Sequence, residues 1–335
     1  MKYIVDGYTI TNRLRFLDGR IISDIMGGGG FYAYTAVKMC TDDSLFITSV
    51  GPDVDEVYGD WYKNNNVSKE GFFYQLDKTI YNELKYFEDG SYIEYSIYNG
   101  SYSDEELYEM RKSGLVFLGE EDPIELAKEF VSMDKVVPFI DDAKGLYTSQ
   151  TLTDENTELL LAHKKGGCKV MWEIPATSIE PCREIYVKDG IEGLKHHLRA
   201  VDILSINRNE SQIIFGVKTD NEIISLLKEL NIPVYYRVGI DGAYMISDGK
   251  EYFVPMISTV ASELEIDPTG CGNTSTGAAM WAFCEGYDPL KVCVIGNVVA
   301  SYNVRQYGPY LNMSNEVRKE MMDIANKIYE EYRGK

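Results

Sequence analysis

Residues 266–274 read Ile-Asp-Pro-Thr-Gly-Cys-Gly-Asn-Thr, a composition that suits a phosphate-binding loop. Glycines on both sides of Cys271 allow consecutive backbone N–H groups to converge, and the apolar run at 275–283 predicts a helix that begins there. The start of a helix attracts anions, so this loop would stabilise charge on a transferring phosphoryl group. A loop with no chemical role is the alternative. We predict a catalytic anion hole formed by Gly270, Cys271, Gly272 and Asn273.

A second glycine cluster occupies residues 27–30, directly before a helical pattern. Glycine there lets a ligand approach the backbone closely, and we predict a substrate-binding loop, with a structural turn as the alternative. The cluster lies about 20 residues beyond the first predicted strand, so it does not match the fingerprint of a nicotinamide-dependent oxidoreductase. It also lacks the terminal Gly-Lys-Ser/Thr of a Walker loop.

The composition favours a small-molecule ligand. The 335 residues include 53 acids and 33 bases, for a formal net charge of −20, whereas nucleic acid and anionic membranes attract basic surfaces. No stretch approaches the roughly 20 apolar residues of a membrane span, and the start of the chain has no signal-peptide pattern. The six cysteines show no CxxC pairing. We expect a cytoplasmic protein with reduced cysteines and no disulfide framework.

Short apolar runs alternate with amphipathic segments along most of the chain. We predict strands at 2–6, 45–50, 115–118, 136–140, 169–173, 202–205, 234–238 and 243–246. Predicted helices lie at 121–133, 153–164, 221–230, 289–306 and 314–333. This βαβα order is typical of an α/β fold whose mainly parallel sheet is covered by helices on both faces.

The segment 71–100 departs from that pattern because Tyr and Phe occur at about every second position. Asp89-Gly90 is a favourable hairpin turn between predicted strands at 81–88 and 91–98. We predict an antiparallel flap on the α/β body. An ordinary edge hairpin is one interpretation; an aromatic lid that also forms a homodimer surface is the other, since a large apolar patch usually has something to cover.

Four motifs in a fixed order resemble the ribokinase-like (PfkB-type) family of carbohydrate and nucleoside kinases. Its C-terminal signature, D-T-x-G-A-G-D before a small-residue helix, is matched by residues 267–273, and its Gly-Gly motif by residues 27–30. The family's N-x-x-E motif is matched by Asn207 and Glu210, and its Gly-x-x-Gly element by Gly239 and Gly242. The ordered set covers almost the whole chain.

The resemblance implies one three-layer αβα domain over residues 1–335, with a mostly parallel central sheet and a small antiparallel β lid from about 9–24 and 71–100. It implies ATP as the phosphate donor and a sugar or nucleoside as the acceptor. A hard cation such as Mg²⁺ would be organised through water. The implied roles are Gly28 and Gly29 beside the acceptor, Asn207 and Glu210 at Mg²⁺, Gly239, Gly242 and Asn303 around the nucleotide, and Asp267 at a monovalent cation such as K⁺.

Two departures from the family pattern leave alternatives open. Asn273 stands where the family has the Asp that accepts the proton of the attacking hydroxyl, and an amide is no base. General-base assistance contributes roughly 10²–10⁴ in rate, although positioning and charge dominate phosphoryl transfer. At the sugar end, Asn12 and Tyr32 replace an Asp and an Asn, and Tyr32 with Phe31 and Tyr34 would stack on a ring. The leading hypothesis is an active kinase; the alternative is a nucleotide- or sugar-binding pseudokinase with a regulatory role.

Overall fold

The computed structural model describes residues 3–88, 92–113, 117–118, 130–164, 167–259 and 265–334. Strands and helices are numbered along the chain. The nine strands of the main sheet are β1 Tyr3–Asp6, β4 Ser44–Val50, β5 Phe72–Tyr74, β9 Gly145–Thr148, β10 Lys169–Glu173, β11 Ile203–Asn207, β12 Val234–Arg237, β13 Gly242–Ser247 and β14 Lys250–Pro255. Their order across the sheet is β14-β13-β12-β11-β10-β9-β1-β4-β5. All neighbours from β12 to β5 are parallel, and β13 and β14 form an antiparallel edge.

Helices cover both faces of this sheet. The described helices are α1 Gly29–Cys40, α2 Val54–Asn64, α3 Asp104–Lys112, α4 Met133–Val136, α5 Asp154–His163, α6 Ala176–His197, α7 Arg208–Phe215, α8 Asp220–Glu229, α9 Cys271–Cys284, α10 Pro289–Asn303 and α11 Asn315–Tyr332. One apolar core lies between the sheet and α1, α2, α9, α10 and α11, and a second lies on the opposite face under α4 to α8. The central strands are buried along their length, as parallel strands between two helical layers must be. The predicted α/β three-layer fold with a mostly parallel sheet is confirmed.

A second, five-stranded sheet is separate from the main one. Its strands are β2 Ile10–Arg15, β3 Ile21–Gly27, β6 Ile80–Tyr86, β7 Tyr92–Ser96 and β8 Phe117–Leu118, in the order β3-β2-β6-β7-β8. The antiparallel β6–β7 pair is the predicted hairpin, although its predicted turn at Asp89-Gly90 lies outside the described residues. The aromatics of this hairpin divide between two environments: Tyr95 and Phe87 are buried with Leu107 of α3, whereas Tyr92 is 36% exposed.

Several predicted elements differ from the structure. Residues 136–140 were expected to form a strand, but they form the end of α4 and a 3₁₀ turn at Val137–Phe139. Residues 72–74 belong to the main sheet as β5, and not to the flap. Most of the predicted helix at 121–133 and the start of the strand at 115–118 lie outside the described residues. Within the described ranges, no helix is long and apolar enough to cross a membrane.

Candidate active site

The loop at 267–270 leads into α9 in the way that the sequence predicts. Gly270 is the N-cap of α9 and has a left-handed backbone with φ 77°, which glycine adopts at little cost. The N–H of Cys271 donates to the carbonyl oxygen of Pro268 across 3.1 Å, so this amide is used within the turn. No side chain caps the helix, and the N–H groups of Gly272 and Asn273 lie in the first turn, where helices offer no intrahelical acceptor. Helix starts with unpaired amides of this kind are places where anions bind in proteins.

Buried contacts hold this loop in place. Oδ1 of Asp267 accepts a hydrogen bond from the Thr269 N–H at 2.9 Å. The side-chain amide of Asn303, on α10, donates to the Thr269 carbonyl at 2.8 Å, and Asn303 is fully buried. Burial raises the pKa of the Cys271 thiol to about 11, so the thiol is protonated at neutral pH. Asn303 therefore braces the loop, and Cys271, which was predicted to belong to the anion hole, has its N–H engaged within the turn.

The two glycine motifs converge at this point. A Cβ on Gly29, the first residue of α1, would lie 3.0 Å from Nδ2 of Asn273. Gly28 has φ 94°, and a Cβ there would lie 2.6 Å from the carbonyl oxygen of Tyr8. Along the two helices, Gly277 of α9 also packs on the backbone of Ala33 of α1. The starts of α1 and α9 thus face one space, and Asn273 lies between them.

Two polar residues predicted at the acceptor end lie beside this space. Asn12, on β2, is 7% exposed, and its Oδ1 has no hydrogen-bond partner among the described residues. Tyr32 is 4% exposed, and its ring lies so close to Gly270 that a Cβ on that glycine would be 2.2 Å from Cδ1. Burial raises the pKa of Tyr32 well above its usual value, so Tyr32 supports the loop as a neutral phenol.

Phe31 and Tyr34 were wrong as candidates for stacking on a substrate ring. Both are buried, with 0% and 1% exposure, in an aromatic cluster. Phe31 makes edge contacts with Tyr58 and Trp61, and Tyr34 stacks on Phe46. On a helix, neighbouring positions point in different directions, so the residues beside Tyr32 enter the core when Tyr32 faces the loop.

Charged residues that the sequence interpretation missed lie next to Asn273. Glu173 ends β10 and Arg237 ends β12, and both side chains are largely buried. Nη1 of Arg237 lies 2.8 Å from Oε1 of Glu173, and Nδ2 of Asn273 donates to Oε2 of Glu173 at 3.2 Å. The hydroxyl of Tyr147, on β9, also donates to Oε2, at 2.5 Å. The sequence feature that could have identified them is a charged residue at the end of a buried parallel strand, since ligands bind at the carboxyl edge of such sheets.

The Asn207–Glu210 motif forms a capping box at the start of α7. The N–H of Glu210 donates to Oδ1 of Asn207 at 2.9 Å, and the N–H of Asn207 donates to Oε2 of Glu210 at 2.7 Å. The Asn207 side-chain amide donates to the other Glu210 oxygen. Burial raises the pKa of Glu210, while the charge of Arg237, whose Nη2 lies 3.9 Å from Oε2, opposes that rise.

Glu173 and Glu210 have the oxygen donors that Mg²⁺ prefers, but the guanidinium of Arg237 contacts both carboxylates. Burial alone would lower the pKa of Arg237. The negative charges of Glu173 and Glu210 outweigh burial and raise this pKa, so the guanidinium stays charged. No group of three or more candidate ligands that fits a metal ion occurs within the described ranges. These two carboxylates therefore do not form a preformed Mg²⁺ cage.

The predicted nucleotide end lies at the same edge of the sheet, beyond Arg237. Gly239 has φ 65°, and a Cβ there would meet no atom within 4 Å, so its surroundings are open. Gly242, by contrast, packs against β14, where a Cβ would lie 2.2 Å from the carbonyl oxygen of Val254. Ile240 between them is 82% exposed, and Met256, whose N–H donates to the Asp241 carbonyl, is 53% exposed.

In a three-layer α/β fold, the carboxyl edge of the sheet, where these helix starts and buried charged side chains meet, is the usual location of a small-molecule site. Comparison with known proteins identifies the family. The model of the pfkB family of carbohydrate kinases matches residues 129–316, and the chain belongs to that family.

Two characterised relatives are similar over part of the chain. A 2-dehydro-3-deoxygluconokinase from Thermoproteus tenax is 33% identical over 92 residues, which are 27% of this chain and 27% of that protein. An ATP-dependent 6-phosphofructokinase from Thermoanaerobacterium thermosaccharolyticum is 28% identical over 138 residues, 41% of this chain and 42% of the relative. The aligned segments thus span 27% and 42% of the two relatives, less than half of each.

Solved structures share the fold over nearly the whole chain. A nucleoside kinase from Methanocaldococcus jannaschii, an archaeal member of the ribokinase family, aligns with a TM-score of 0.65 and 16% identity over 98% of this chain and 99% of its own. An adenosine kinase from Sinorhizobium meliloti aligns with a TM-score of 0.68 and 15% identity over 95% and 99%. A fructokinase from Vibrio cholerae, with bound fructose, ADP and calcium, aligns with a TM-score of 0.66 and 12% identity over 97% and 98%. At these identities the likeness shows the fold.

Proposed function

We propose that this protein transfers the terminal phosphoryl group of ATP to a hydroxyl of a sugar, nucleoside or related small polyol. The observation that carries the proposal is the convergence of the α9 start, the Gly28-Gly29 motif and the guanidinium of Arg237. A kinase needs these parts together: amides and a fixed cation at the transferring group, and a close backbone approach beside the acceptor. Membership in the pfkB family and the kinase relatives support this assignment.

Arg237 provides the fixed positive charge beside the anion loop, by which we mean residues 267–270 and the first turn of α9. A Cβ on Gly272 would lie 2.5 Å from Nη1 of Arg237, so the guanidinium reaches the first turn of α9 only because residue 272 is glycine. Nε of Arg237 has no hydrogen-bond partner among the described residues. A buried donor without an acceptor is costly, and a phosphate oxygen would satisfy it. Arg237 and the amides of Gly272 and Asn273 would together stabilise the charge that develops on the phosphoryl group.

The acceptor would lie between the loop and the second sheet. The buried Oδ1 of Asn12 is free to accept a hydrogen bond from a substrate hydroxyl. Across the site, the Tyr86 hydroxyl lies 3.4 Å from Oγ1 of Thr269, and Tyr86 also stacks on Phe16 with 5.4 Å between ring centroids. Burial raises the pKa of Tyr86 to about 12, so this ring is neutral. The aromatic rings of Tyr86 and Phe16 and the unpaired Oδ1 of Asn12, which can accept a hydrogen bond from a hydroxyl, suit a substrate ring that carries hydroxyl groups.

The donor nucleotide would extend from the loop past Gly239. The open backbone at Gly239 permits a ligand to approach, and Ile240 and Met256 offer apolar surface for a base. Mg²⁺ would arrive with the triphosphate and keep most of its own waters, as this ion usually does, and would neutralise charge on the phosphates. Asp267 remains our proposed ligand for a monovalent cation such as K⁺.

Ligand-induced thermal stabilisation tests this proposal. The purified protein is heated with ATP and Mg²⁺, alone and with each member of a sugar and nucleoside library, and its Tm is measured. Ligands that bind the folded state raise the Tm whether or not they react. We expect a shift with ATP and a further shift with one acceptor class. Absence of any ATP-dependent shift would contradict the proposal, and stabilisation without phosphorylated product would support the pseudokinase alternative.

A further inference from the structure

The residue in the family's proton-accepting position is an amide, but a carboxylate lies directly beside it. Oε2 of Glu173 is 3.2 Å from Nδ2 of Asn273, and that same nitrogen lies 3.0 Å from the Cβ position of Gly29. Only the side-chain amide of Asn273 therefore separates Glu173 from Gly29, beside which the acceptor would bind. The Glu173 carboxylate is 5% exposed, and its Oε2 contacts the side chain of Asn273 in the first turn of α9.

The hydrogen bonds around Glu173 leave its carboxylate able to accept one more proton donor. An ionised carboxylate has about four lone-pair positions. The described contacts use three of them: Tyr147 and Asn273 donate to Oε2, and Arg237 pairs with Oε1. Oε1 thus retains one lone-pair position. The same oxygen contacts the Arg237 guanidinium, which lies against Gly272 in the first turn of α9.

The neighbouring residues also explain why residue 273 is not an Asp. A carboxylate at 273 would lie about 3 Å from Oε2 of Glu173, and two carboxylates at that distance cannot both stay ionised at neutral pH. An amide at 273 removes that repulsion and donates to Glu173 instead. In this chain the carboxylate nearest to residue 273 is thus on β10.

We infer that Glu173 is the proton acceptor of this kinase, with Asn273 as the residue that positions it. The inference rests on the proposed kinase function. In the step, the acceptor oxygen bonds to the terminal phosphorus of ATP, and the bond from that phosphorus to the bridging oxygen breaks. The bridging oxygen keeps the electron pair and leaves with ADP. The hydroxyl proton passes to the Glu173 carboxylate, which releases it to water after the products leave.

An exchange of the two residues tests this inference. We would compare the wild type, Glu173→Gln, Asn273→Asp and the double variant for kcat and for the KM of ATP. Loss of a general base predicts a fall in kcat of about 10²–10⁴ for Glu173→Gln with the KM of ATP nearly unchanged. Asn273→Asp should also lose activity, because two carboxylates then compete. The double variant restores one carboxylate beside one amide and should recover at least tenfold over Glu173→Gln.

Glu83 provides a matched control for the loss of a buried glutamate. Like Glu173, it is buried and interacts with Arg and Tyr side chains, namely Arg13, Arg15 and Tyr95, but it lies on β6 of the second sheet. Glu83→Gln should lower the Tm and leave kcat within a few-fold of the wild type. General destabilisation cannot explain a recovery of activity in the double variant, because its second substitution would destabilise the site further.

The outcomes separate this inference from the function on which it rests. If the wild type transfers phosphate and Glu173→Gln keeps its kcat within a few-fold, the inference is overturned and the kinase assignment stands. A rise in kcat for Asn273→Asp alone would equally overturn it, because residue 273 would then be the natural base position. If the wild type transfers phosphate to no acceptor, both proposals fail.

Discussion

The side-chain amide of Asn273 donates to the carboxylate of Glu173 at 3.2 Å, and this bond joins the start of α9 to the end of β10. The two residues are 100 positions apart in the chain. Arg237 and Tyr147 complete the surroundings of Glu173, so a buried ionic network lies directly behind the anion loop.

Gly270→Ala should abolish phosphoryl transfer. Its backbone has φ 77°, and a Cβ would lie 2.2 Å from the ring of Tyr32, so the loop must shift to accept the substitution. Gly286→Ala is the matched control, since Gly286 has φ 80° but a Cβ there meets no atom within 4 Å. Both variants should lose roughly 1–2 kcal/mol of stability from left-handed strain. Only Gly270→Ala should lose ATP-dependent thermal stabilisation; its retention would show that the loop does not bind the triphosphate.

Arg237→Lys should reduce kcat by about 10²–10³, the usual cost of removing one donor to a developing anion. Lysine keeps the charge but not the planar fork that contacts Glu173 and Gly272 together. Arg318→Lys is the control, because both terminal nitrogens of Arg318 also contact a carboxylate, that of Asp42, but Arg318 lies at the end of α1 opposite to Gly28-Gly29. Steady-state kinetics of both variants provide the measurement. Equal, small effects would exclude Arg237 from the chemistry.

Asp6 should make the protein less stable as the pH rises from about 4 to 7. Burial raises the pKa of this carboxyl from 3.8 to about 7, although Thr148 and Gln150 donate to its Oδ2. The folded state binds this proton more tightly than the unfolded state, so the stabilisation is complete below pH 4 and is lost as the pH approaches 7. The full effect is roughly 4 kcal/mol.

Asp6→Asn should remove that part of the pH dependence, because an amide does not titrate. Denaturant unfolding of the wild type and the variant at pH 5 and pH 8 measures the difference. We expect the variant to gain stability relative to the wild type at pH 8. A pH-independent difference between the two proteins would contradict this assignment.

The exposed edge of the second sheet predicts a homodimer. β3 is the edge strand, its pairing partner is β2 alone among the described residues, and Ile21 on it is 53% exposed. An uncovered edge strand readily pairs with another chain. Light scattering should show a dimer for the wild type and for Leu161→Lys, a control on α5, but a monomer for Ile21→Lys. A monomeric wild type at high concentration would refute the prediction.

Local motifs made the loop and the fold predictable. Glycines before a small-residue helix specify a left-handed cap and a helix start, and the alternation of strands and helices specifies a parallel sheet. Residues 136–140 were misassigned because a short apolar run fits a strand and a buried helical turn equally well. Pro138 does not distinguish these alternatives.

The ionic network could not be predicted from one local pattern. Glu173 and Arg237 come from different strands, and only the β12-β11-β10 order places both side chains beside α9. Asn207 and Glu210 show the reverse case. The family resemblance implies a role at Mg²⁺ for them, and the structure shows that the pair also forms a capping box whose carboxylate Arg237 contacts. The capping box follows from the local N-x-x-E spacing, whereas the contact with Arg237 depends on the strand order.

Direct detection of the transferred phosphate tests the kinase assignment most directly. The wild type, incubated with ATP, Mg²⁺ and each acceptor that stabilises it, is analysed by mass spectrometry for phosphorylated acceptor and ADP in equal amounts. We predict that one sugar or nucleoside class gains a single phosphate with the wild type and gains none with Gly270→Ala. ATP binding without a phosphorylated product from any acceptor would contradict the assignment and leave a nucleotide-binding protein.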